Sequence, residues 1–410
     1  MKINHKNIKE DFMKFTVLPS NWEIKKMPDV VKWGSGGTPK ATEKAYYENG
    51  TIPWLIIGDL NDGIVTTSET KITPLGLENS SAKMIPVGTL LVAMYGSIGK
   101  LGITGIECCT NQAIAYAKEL YGVTTQYMYY YMAMMKSKLI SLGKGGTQKN
   151  ISQTVLNSLD VIVPPIDEQK RIVAKIEELF SELDNGVETL KKTKQQLAVY
   201  RQAVLKEAFE DLNEFSTIRE SSTLVTSGSR GWAQYYSTKG AKFIRIGNFT
   251  RDSIDIDFSD TQYVDLPDKA EGLRSKLQPN DVLISITADL GSIGLVPNNI
   301  GEAYINQHIA VVRFKNPKQG KFMAWYLRSD CGQKDLLKNK RGAGKLGLGL
   351  DDIRDSKVPV LTDEKADIII NNIEARLSVC DSIEQTVDTA LQQAEAMRQS
   401  ILKKAFEGEL

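Results

Sequence analysis

An internal repeat constrains the fold of this 410-residue chain more than any other feature of its sequence. The segment GSIG at 96–99 returns unchanged at 291–294, and NQAIA at 111–115 returns as NQHIA at 306–310, both 195 positions later. Other matches keep the same order: IGDL at 57–60 with IGNF at 246–249, VP at 163–164 with VP at 358–359, and AFE at 208–210 with AFE at 405–407. Because small loop insertions shift such an offset only slightly, two domains of one fold are expected.

Each copy divides into a mixed α/β part and a long helix. Short Val/Ile/Leu runs, such as 89–94 and 282–286, are separated by Gly, Asn and Pro, which is typical of strands and turns. A Val-Pro pair and two acidic residues then open each helix, where the helix dipole favours negative charge. The predicted order is an α/β domain at 1–166, a helix at 167–212, a second α/β domain at 213–362 and a second helix at 363–410.

Both helices carry apolar residues seven positions apart. Such a spacing predicts that helices pack side by side along their length, as in a coiled coil. Because α/β domains alternate with the helices, we expect an antiparallel pair and a pseudo-two-fold symmetric molecule. The predicted seam consists of Ile176, Leu183, Leu190, Leu197 and Val204 on the first helix, and Ile373, Val387, Ala394 and Ile401 on the second.

Charge is distributed unevenly along a chain whose net charge is only +1. The helical segments are acidic, with 8 Lys/Arg against 10 Asp/Glu in 167–212 and 5 against 10 in 363–410, whereas 1–166 has 17 against 13. The α/β parts can therefore approach phosphate while the helices face protein. The chain shows no apolar run that predicts a signal peptide or a membrane span, and 4 Cys and 2 His without metal-ligand spacing predict no metal site. A cytoplasmic location is expected.

Several motifs together resemble the specificity subunits of type I restriction-modification systems. They are LPSNW at 18–22, GSRGW at 228–232 with YY at 235–236, the doubled GSIG and NQ segments, and the helix ends RQAVL at 201–205 and RQSIL at 398–402. Only the first copy has the Leu-Pro-x-x-Trp start, so the beginning of the second domain, near Phe215, is left open. Each motif alone is weak, but their doubled order covers nearly the whole chain.

This resemblance implies a non-catalytic DNA-binding subunit. Its α/β parts would be target-recognition domains, each reading one half of an interrupted, asymmetric sequence in double-stranded DNA. The helices would set the spacing and bind two modification (methyltransferase) subunits, with restriction (translocase/endonuclease) subunits in a complete system. No cofactor is implied.

Two other classes of function remain as alternatives. A stand-alone DNA-binding or architectural protein with two similar modules would need no partner subunit. A catalytic methyltransferase would need an Asn/Asp-Pro-Pro-aromatic loop, which the sequence lacks, and the segment GAGKLG at 342–347 does not follow a hydrophobic strand as a dinucleotide-binding loop would.

Two classes of loop are candidates for DNA contact. The first is rich in Gly and Lys and recurs in both copies; its glycines permit close approach of the backbone, and its polar side chains suit phosphates and base edges. The second follows the first strand of each copy. A solvated loop is the alternative for the first class, and burial of the Trp is the alternative for the second. The candidates are Thr38, Lys40, Lys144, Gln148, Lys149, Asn150, Ser229, Arg230, Trp232, Tyr235, Arg341 and Lys345.

Arginine distinguishes the two copies. The first α/β part contains none, and the earliest in the chain is Arg171, whereas the second has nine from Arg219 to Arg354. Because arginine paired with guanine is the commonest specific contact to DNA, the second domain is expected to read its half-site with at least one arginine. The first would use Lys, Asn, Gln and backbone groups.

Overall fold

The computed structural model describes residues 18–146, 148–250, 252–266, 274–338, 340–341 and 346–410. They form two compact units, one from Met1–Thr189 with Ala390–Leu410 and the other from Leu190–Thr389. Of the predicted residues, Lys345 lies outside the described part of the chain. The predicted domain boundaries stay predictions.

The first unit is built on antiparallel sheet with parallel edges. A five-stranded sheet has the order β2-β9-β6-β7-β4, in which only β4 and β7 pair in parallel; β5-β3-β8 and β1-β10 form smaller sheets. The strands are β1 (Glu23–Lys26), β2 (Val31–Ser35), β3 (Ile52–Leu55), β4 (Gly63–Val65), β5 (Lys71–Ile72), β6 (Leu90–Ala93), β7 (Leu101–Thr104), β8 (Cys109–Thr110), β9 (Ile114–Leu120) and β10 (Asp160–Val163). The helices are α1 (Met27–Val30), α2 (Pro74–Glu78), α3 (Thr125–Met134), α4 (Lys136–Leu142), α5 (Gln153–Asn157) and α6 (Ile166–Phe209), of which α6 continues into the second unit.

The second unit repeats this order of elements. Its sheets are β12-β19-β16-β17, β13-β15-β14-β18 and β11-β20, and the parallel pair β14-β18 corresponds to β3-β8. The strands are β11 (Phe215–Thr217), β12 (Ser222–Ser227), β13 (Tyr236–Ser237), β14 (Ala241–Ile244), β15 (Gln262–Val264), β16 (Val282–Ser285), β17 (Ile293–Leu295), β18 (Ala303–Ile305), β19 (Ile309–Phe314) and β20 (Lys357–Pro359). The helices are α7 (Ile218–Ser221), α8 (Gly320–Arg328), α9 (Asp330–Leu336), α10 (Leu350–Arg354) and α11 (Asp363–Glu407), of which α11 continues into the first unit. The predicted fold class, two α/β domains with two long helices packed against each other, is confirmed.

The core of each unit is completed by the end of a helix that begins in the other unit. In the first unit, Phe406 of α11 packs edge-on against Tyr127 and Tyr131 of α3, with ring centroids 5.2 and 5.1 Å apart. In the second, Phe209 of α6 packs in the same way against Phe322 and Tyr326 of α8, at 5.6 and 5.5 Å. Tyr127 and Tyr131 are thus core residues.

The helix halves run antiparallel within each unit. In the first, the start of α6 shares a core with the end of α11; in the second, the end of α6 shares a core with the start of α11. The seam residues are placed as follows: Ile176, Leu197, Val204, Ile373, Val387 and Ala394 are buried, and Leu183, Leu190 and Ile401 are half-buried.

Candidate nucleic-acid interface

A glycine loop lies directly on the NQ segment in both units. In the first, a Cβ atom on Gly36 would come within 2.1 Å of the Thr110 carbonyl oxygen, and the Gly37 amide donates to that oxygen at 2.8 Å. In the second, a Cβ atom on Gly228 would come within 1.9 Å of the Ile305 carbonyl oxygen. Only glycine permits so close an approach of two backbones.

The NQ segment in turn contacts the turn that follows the central strand. In the first unit, the Met94 amide donates to the Ala113 carbonyl at 2.8 Å. In the second, the Ile286 amide donates to the His308 carbonyl at 2.9 Å, and the Thr287 hydroxyl bonds to His308 Nδ1 at 2.7 Å. Because Gln307 occupies His308 Nε2 at 2.8 Å, both ring nitrogens have protein partners, which fits a packing role for this histidine.

The Gly/Lys-rich hairpin completes the arrangement. In the first unit, Lys144 and Asn150 exchange two backbone hydrogen bonds of 2.9 Å, and the Gly96 amide donates to the Lys149 carbonyl at 3.2 Å. In the second, Arg341 and Gly347 exchange the equivalent bonds, at 3.0 and 2.8 Å. Four loops therefore meet in each unit. We call this surface the four-loop face: 36–40, 95–99, 111–113 and 144–150 in the first unit, and 228–232, 287–292, 306–308 and 341–347 in the second, without the undescribed positions.

Most of the predicted residues on this face are exposed. Those with exposed side chains are Thr38, Lys40, Lys144, Gln148, Lys149, Asn150, Arg230 and Arg341. The Thr38 hydroxyl donates to Gln112 Oε1, which joins the glycine loop to the NQ segment through side chains that face solvent.

Three predicted contacts of the second unit lie beneath the surface. Trp232 is only 5% exposed, because its ring stacks on Phe243 at 4.9 Å and also packs on Tyr304. Ser229 is 9% exposed, and Tyr235 is half-buried against the same cluster. For Trp232 the structure therefore favours burial in the core over direct contact with DNA. The Trp232 ring supports the loop from below.

Charge on the face differs from charge elsewhere in the two units. Among the described residues, no ion pair within 4.0 Å involves Lys40, Lys144, Lys149 or Arg230, so these cations are available to an external anion. Arg341 is different: it pairs with the buried carboxylate of Asp352 at 3.0 Å while its side chain stays 80% exposed.

Sequence reasoning missed several residues of the face. Tyr95 is 37% exposed beside the hairpin, and Gln112 is exposed next to Thr38. Thr287 and Gln307 hold the equivalent positions around His308 in the second unit. The doubled NQ segment was a visible signal of this loop, although its Asn recurs for a structural reason: in both units its side chain accepts a hydrogen bond from the amide two residues later.

The described residues offer little for catalysis. Burial raises the pKa of Cys108 and of Cys109 to about 12, so both are protonated thiols at neutral pH. No group of His, Cys, Asp or Glu suited to a metal ion occurs in the described part of the chain. Within the same residues, no helix combines the length and the apolar character that a membrane span requires.

Comparison with known families explains the doubled face. The model of the type I restriction modification DNA specificity domain matches twice, over residues 19–198 and 208–392. The chain belongs to this family. It is a type I specificity subunit with two target-recognition domains, the non-catalytic component of such a system.

Relatives show the same relationship. The EcoBI specificity subunit of Escherichia coli is 27% identical over 296 residues, which are 64% of this chain and 61% of the relative's length. The StySPI specificity subunit of Salmonella potsdam is 24% identical over 422 residues, covering 96% of this chain and 90% of that one. A solved chain from work on complex assembly and conformational transition of the type I R-M system superposes with a TM-score of 0.76 at 16% identity. The superposition covers 96% of this chain and all of that one, so the two chains have the same fold.

The close approach of Gly228 gives a first prediction. Gly228→Ala places a methyl group against the Ile305 carbonyl, so the glycine loop must move away from the NQ segment. We expect DNA binding by the second domain to fall by about tenfold or more, since misplaced contacts are lost together. Gly247→Ala is the matched control, because nothing lies within 4 Å of its Cβ position. Fluorescence anisotropy with target DNA measures both; equal losses would contradict the role assigned to this approach.

Proposed function

We propose that this chain directs a type I restriction-modification complex to an interrupted, asymmetric sequence in double-stranded DNA. Each target-recognition domain reads one half-site with its four-loop face. The two long helices set the spacing and bind two modification subunits, and restriction subunits join in a complete system. The complex acts in the cytoplasm.

The observation that carries this proposal is that one set of backbone contacts presents two different sets of side chains. Both faces rest on the same glycine approach, NQ segment and hairpin. The exposed groups are Lys40, Lys144 and Lys149 in the first unit, whereas the second presents arginine. A shared backbone with unlike side chains supports recognition of two unlike half-sites, because base edges are read by side-chain donors and acceptors.

Charge supports binding to the DNA backbone as well as to bases. Lys40, Lys144, Lys149 and Arg230 of the face lack carboxylate partners among the described residues, so their pairing with phosphate breaks no internal ion pair. Some basic residues elsewhere in the first unit are engaged, as Lys26 is with Asp160 and Lys136 with Asp62. Phosphate contacts supply most of the affinity and make it dependent on salt.

Arginines of the second unit are mostly committed to internal pairs. Arg219, Arg245, Arg313 and Arg354 pair with carboxylates within 3.3 Å, and Arg341 with Asp352. On the described part of the face, Arg230 remains exposed without such a partner, and we assign it to a guanine of the second half-site.

Apolar side chains on α11 support the docking of protein partners. Ile368 is 68% exposed and Val379 is 59% exposed, and the same stripe of the helix includes Ile383 at 40%. On α6, the charged residues Arg171 and Glu182 stand at the positions equivalent to Ile368 and Val379. The apolar stripe is therefore a feature of α11 and not of both helices. Exposed apolar patches of this kind mark interaction surfaces.

Methylome sequencing of a host with and without this chain, alongside its modification subunit, tests the proposal directly. Methylation at an interrupted, asymmetric site should appear only when both proteins are present, and the two should co-purify. Methyl transfer by the isolated chain would overturn the proposal in favour of an enzyme. Specific DNA binding without any co-purifying subunit would favour the stand-alone binding protein.

The two hairpin lysines give a second prediction. Lys144→Ala with Lys149→Ala should weaken binding to all sequences alike and lower the slope of log K against log salt by about two, one for each lost phosphate contact. Lys118→Ala serves as the control, since this exposed residue of β9 lies about 13 Å along the strand from Ile114, the residue that follows the face loop 111–113. Salt titrations of the assembled complex measure the slope. An unchanged slope in the double variant would remove the hairpin from the interface.

Arg230 gives a third prediction. Arg230→Ala should relax selection at one guanine position of the second half-site by about 1–3 kcal/mol and leave the first half-site unchanged. Arg219→Ala is the control, because Arg219 lies on α7 at the opposite end of β12 and pairs with Asp355. Methylome sequencing of each variant gives the base preference at every position. Unchanged preferences in the Arg230 variant would refute the assignment.

A further inference from the structure

A small cavity in the second unit lies where α8 meets the two long helices. We call it the α8 cavity; its volume is about 160 Å³. Trp325 and Arg328 line it from α8, Arg201 and Gln202 from α6, and Asp252 from a loop. A wider cavity of about 480 Å³ shares Gln202 and Arg328 with it and reaches Ser292 of the GSIG turn.

Trp325 brings an unsatisfied donor to this cavity. Its side chain is 4% exposed, and its indole nitrogen has no hydrogen-bond acceptor among the described residues. Buried N–H groups nearly always have a partner, so an orphan donor in a cavity indicates an absent acceptor. Among the described residues, none that packs against α8 places an acceptor within hydrogen-bond distance of this nitrogen.

Arg328 is a charged residue of the cavity that also lacks a hydrogen-bond acceptor. In the part of the chain that is described, no hydrogen bond or ion pair within 4.0 Å reaches its guanidinium. Burial lowers its pKa, the more distant Asp252 raises it, and Arg201 lowers it again. An arginine nevertheless keeps its proton at neutral pH, so a half-buried charge is left without a counter-ion at contact distance.

Arg201 adds positive charge without competing for a ligand. Its guanidinium is 9% exposed and pairs with Asp381 at 2.6 Å and with Glu384 at 3.0 Å. Those two carboxylates already accept its hydrogen bonds, so they are not directed to Arg328. Among the residues that line the cavity, the donors without a partner are the guanidinium of Arg328 and the indole N–H of Trp325.

We propose that the α8 cavity binds a phosphate-type oxyanion. A guanidinium presents paired N–H donors that match two oxygens of phosphate, and the indole N–H supplies a third donor. The anion is either free phosphate or a phosphate group of the DNA backbone, which present the same oxygens. The partly buried position of the cavity strengthens such a charge-assisted contact, because the local dielectric constant is lower than that of water.

The first unit has a larger cavity, of about 610 Å³, at the equivalent place on its aromatic helix, without this chemistry. There Tyr130 and Ala133 stand at the positions of Trp325 and Arg328, and the Tyr130 hydroxyl donates to Glu177 at 3.5 Å. Arg398, the equivalent of Arg201, lies over the Phe180 ring at 4.7 Å and pairs with Asp184. The oxyanion site is therefore specific to the second unit, and the first supplies a matched control.

Thermal unfolding of the full chain with increasing phosphate, against sodium chloride of equal ionic strength, tests the site. Wild type should show a saturating rise in midpoint, because a ligand that binds only the folded state stabilises it. Arg328→Gln should weaken phosphate binding by about tenfold or more, and Trp325→Phe by about fivefold. Tyr130→Phe removes a polar group at the equivalent position of the first unit and should leave the phosphate-dependent rise in midpoint unchanged.

Two further measurements separate a binding site from a merely structural role. Trp325→Phe should lower the midpoint in phosphate-free buffer, because it also removes part of a buried ring, so its phosphate affinity is taken from the phosphate-dependent rise above that lower midpoint. Asp252→Asn, at an exposed position, should tighten phosphate binding by removing a competing negative charge. If wild type shows no phosphate-dependent rise, if Arg328→Gln shows an undiminished one, or if Asp252→Asn fails to tighten binding, the proposal is overturned.

The source of the anion is decided by DNA titrations with the Arg328→Gln variant. If the occupant is a DNA phosphate, the slope of log K against log salt falls by about one, and free phosphate competes. If the occupant is free phosphate, DNA binding is unchanged while the thermal effect of phosphate is lost. The experiment is independent of the proposed docking of modification subunits, so either conclusion can fail without the other.

Discussion

Each unit depends on an aromatic side chain that arrives from the far end of a long helix. Phe406 closes the core beneath α3, and Phe209 closes the core beneath α8 at the equivalent position. Because α6 and α11 each begin in one unit and end in the other, neither core is complete without both helices. Burial of a whole aromatic ring contributes several kcal/mol, which is a large part of the net stability of a domain. The pairing of the helices is thus a condition for folding and not only a connection between domains.

Polar contacts then set the register of the paired helices. Arg201 pairs with Asp381 in the second unit, and Arg398 pairs with Asp184 in the first, which are the same positions in the two copies. Burial lowers the pKa of Arg201, but the bonds to Asp381 and Glu384 raise it on balance. Such pairs add little net stability where a partner is exposed, but a shift of one helix would leave a buried guanidinium without an anion. Lys194 with Asp388 continues the same pattern along α6.

We propose that recognition is carried by loops whose backbones are fixed and whose side chains vary. Gly36 and Gly228 hold the glycine loop against the NQ segment by contacts that no other residue permits. The side chains above this backbone have no such constraint, since they face solvent, so lysine can serve one face and arginine the other. The same separation applies beneath the surface: Trp325 and Arg328 occur at positions where the first unit has Tyr130 and Ala133. One fold therefore supports two domains with different chemistry.

Sequence alone determined the repeat, the two long helices and the family, because these follow from order and periodicity along the chain. It also identified two of the four loops of the candidate face, the glycine loop and the hairpin, since Gly, Lys and polar residues recur there in both copies. Only the tertiary structure showed that Trp232 lies in a core, that five arginines of the second domain pair with carboxylates, and that Tyr95 and Gln112 join the face. The reason is physical: whether a side chain meets solvent, a ring or a carboxylate depends on residues distant in sequence, such as Phe243 stacked on Trp232, and no local pattern encodes that distance.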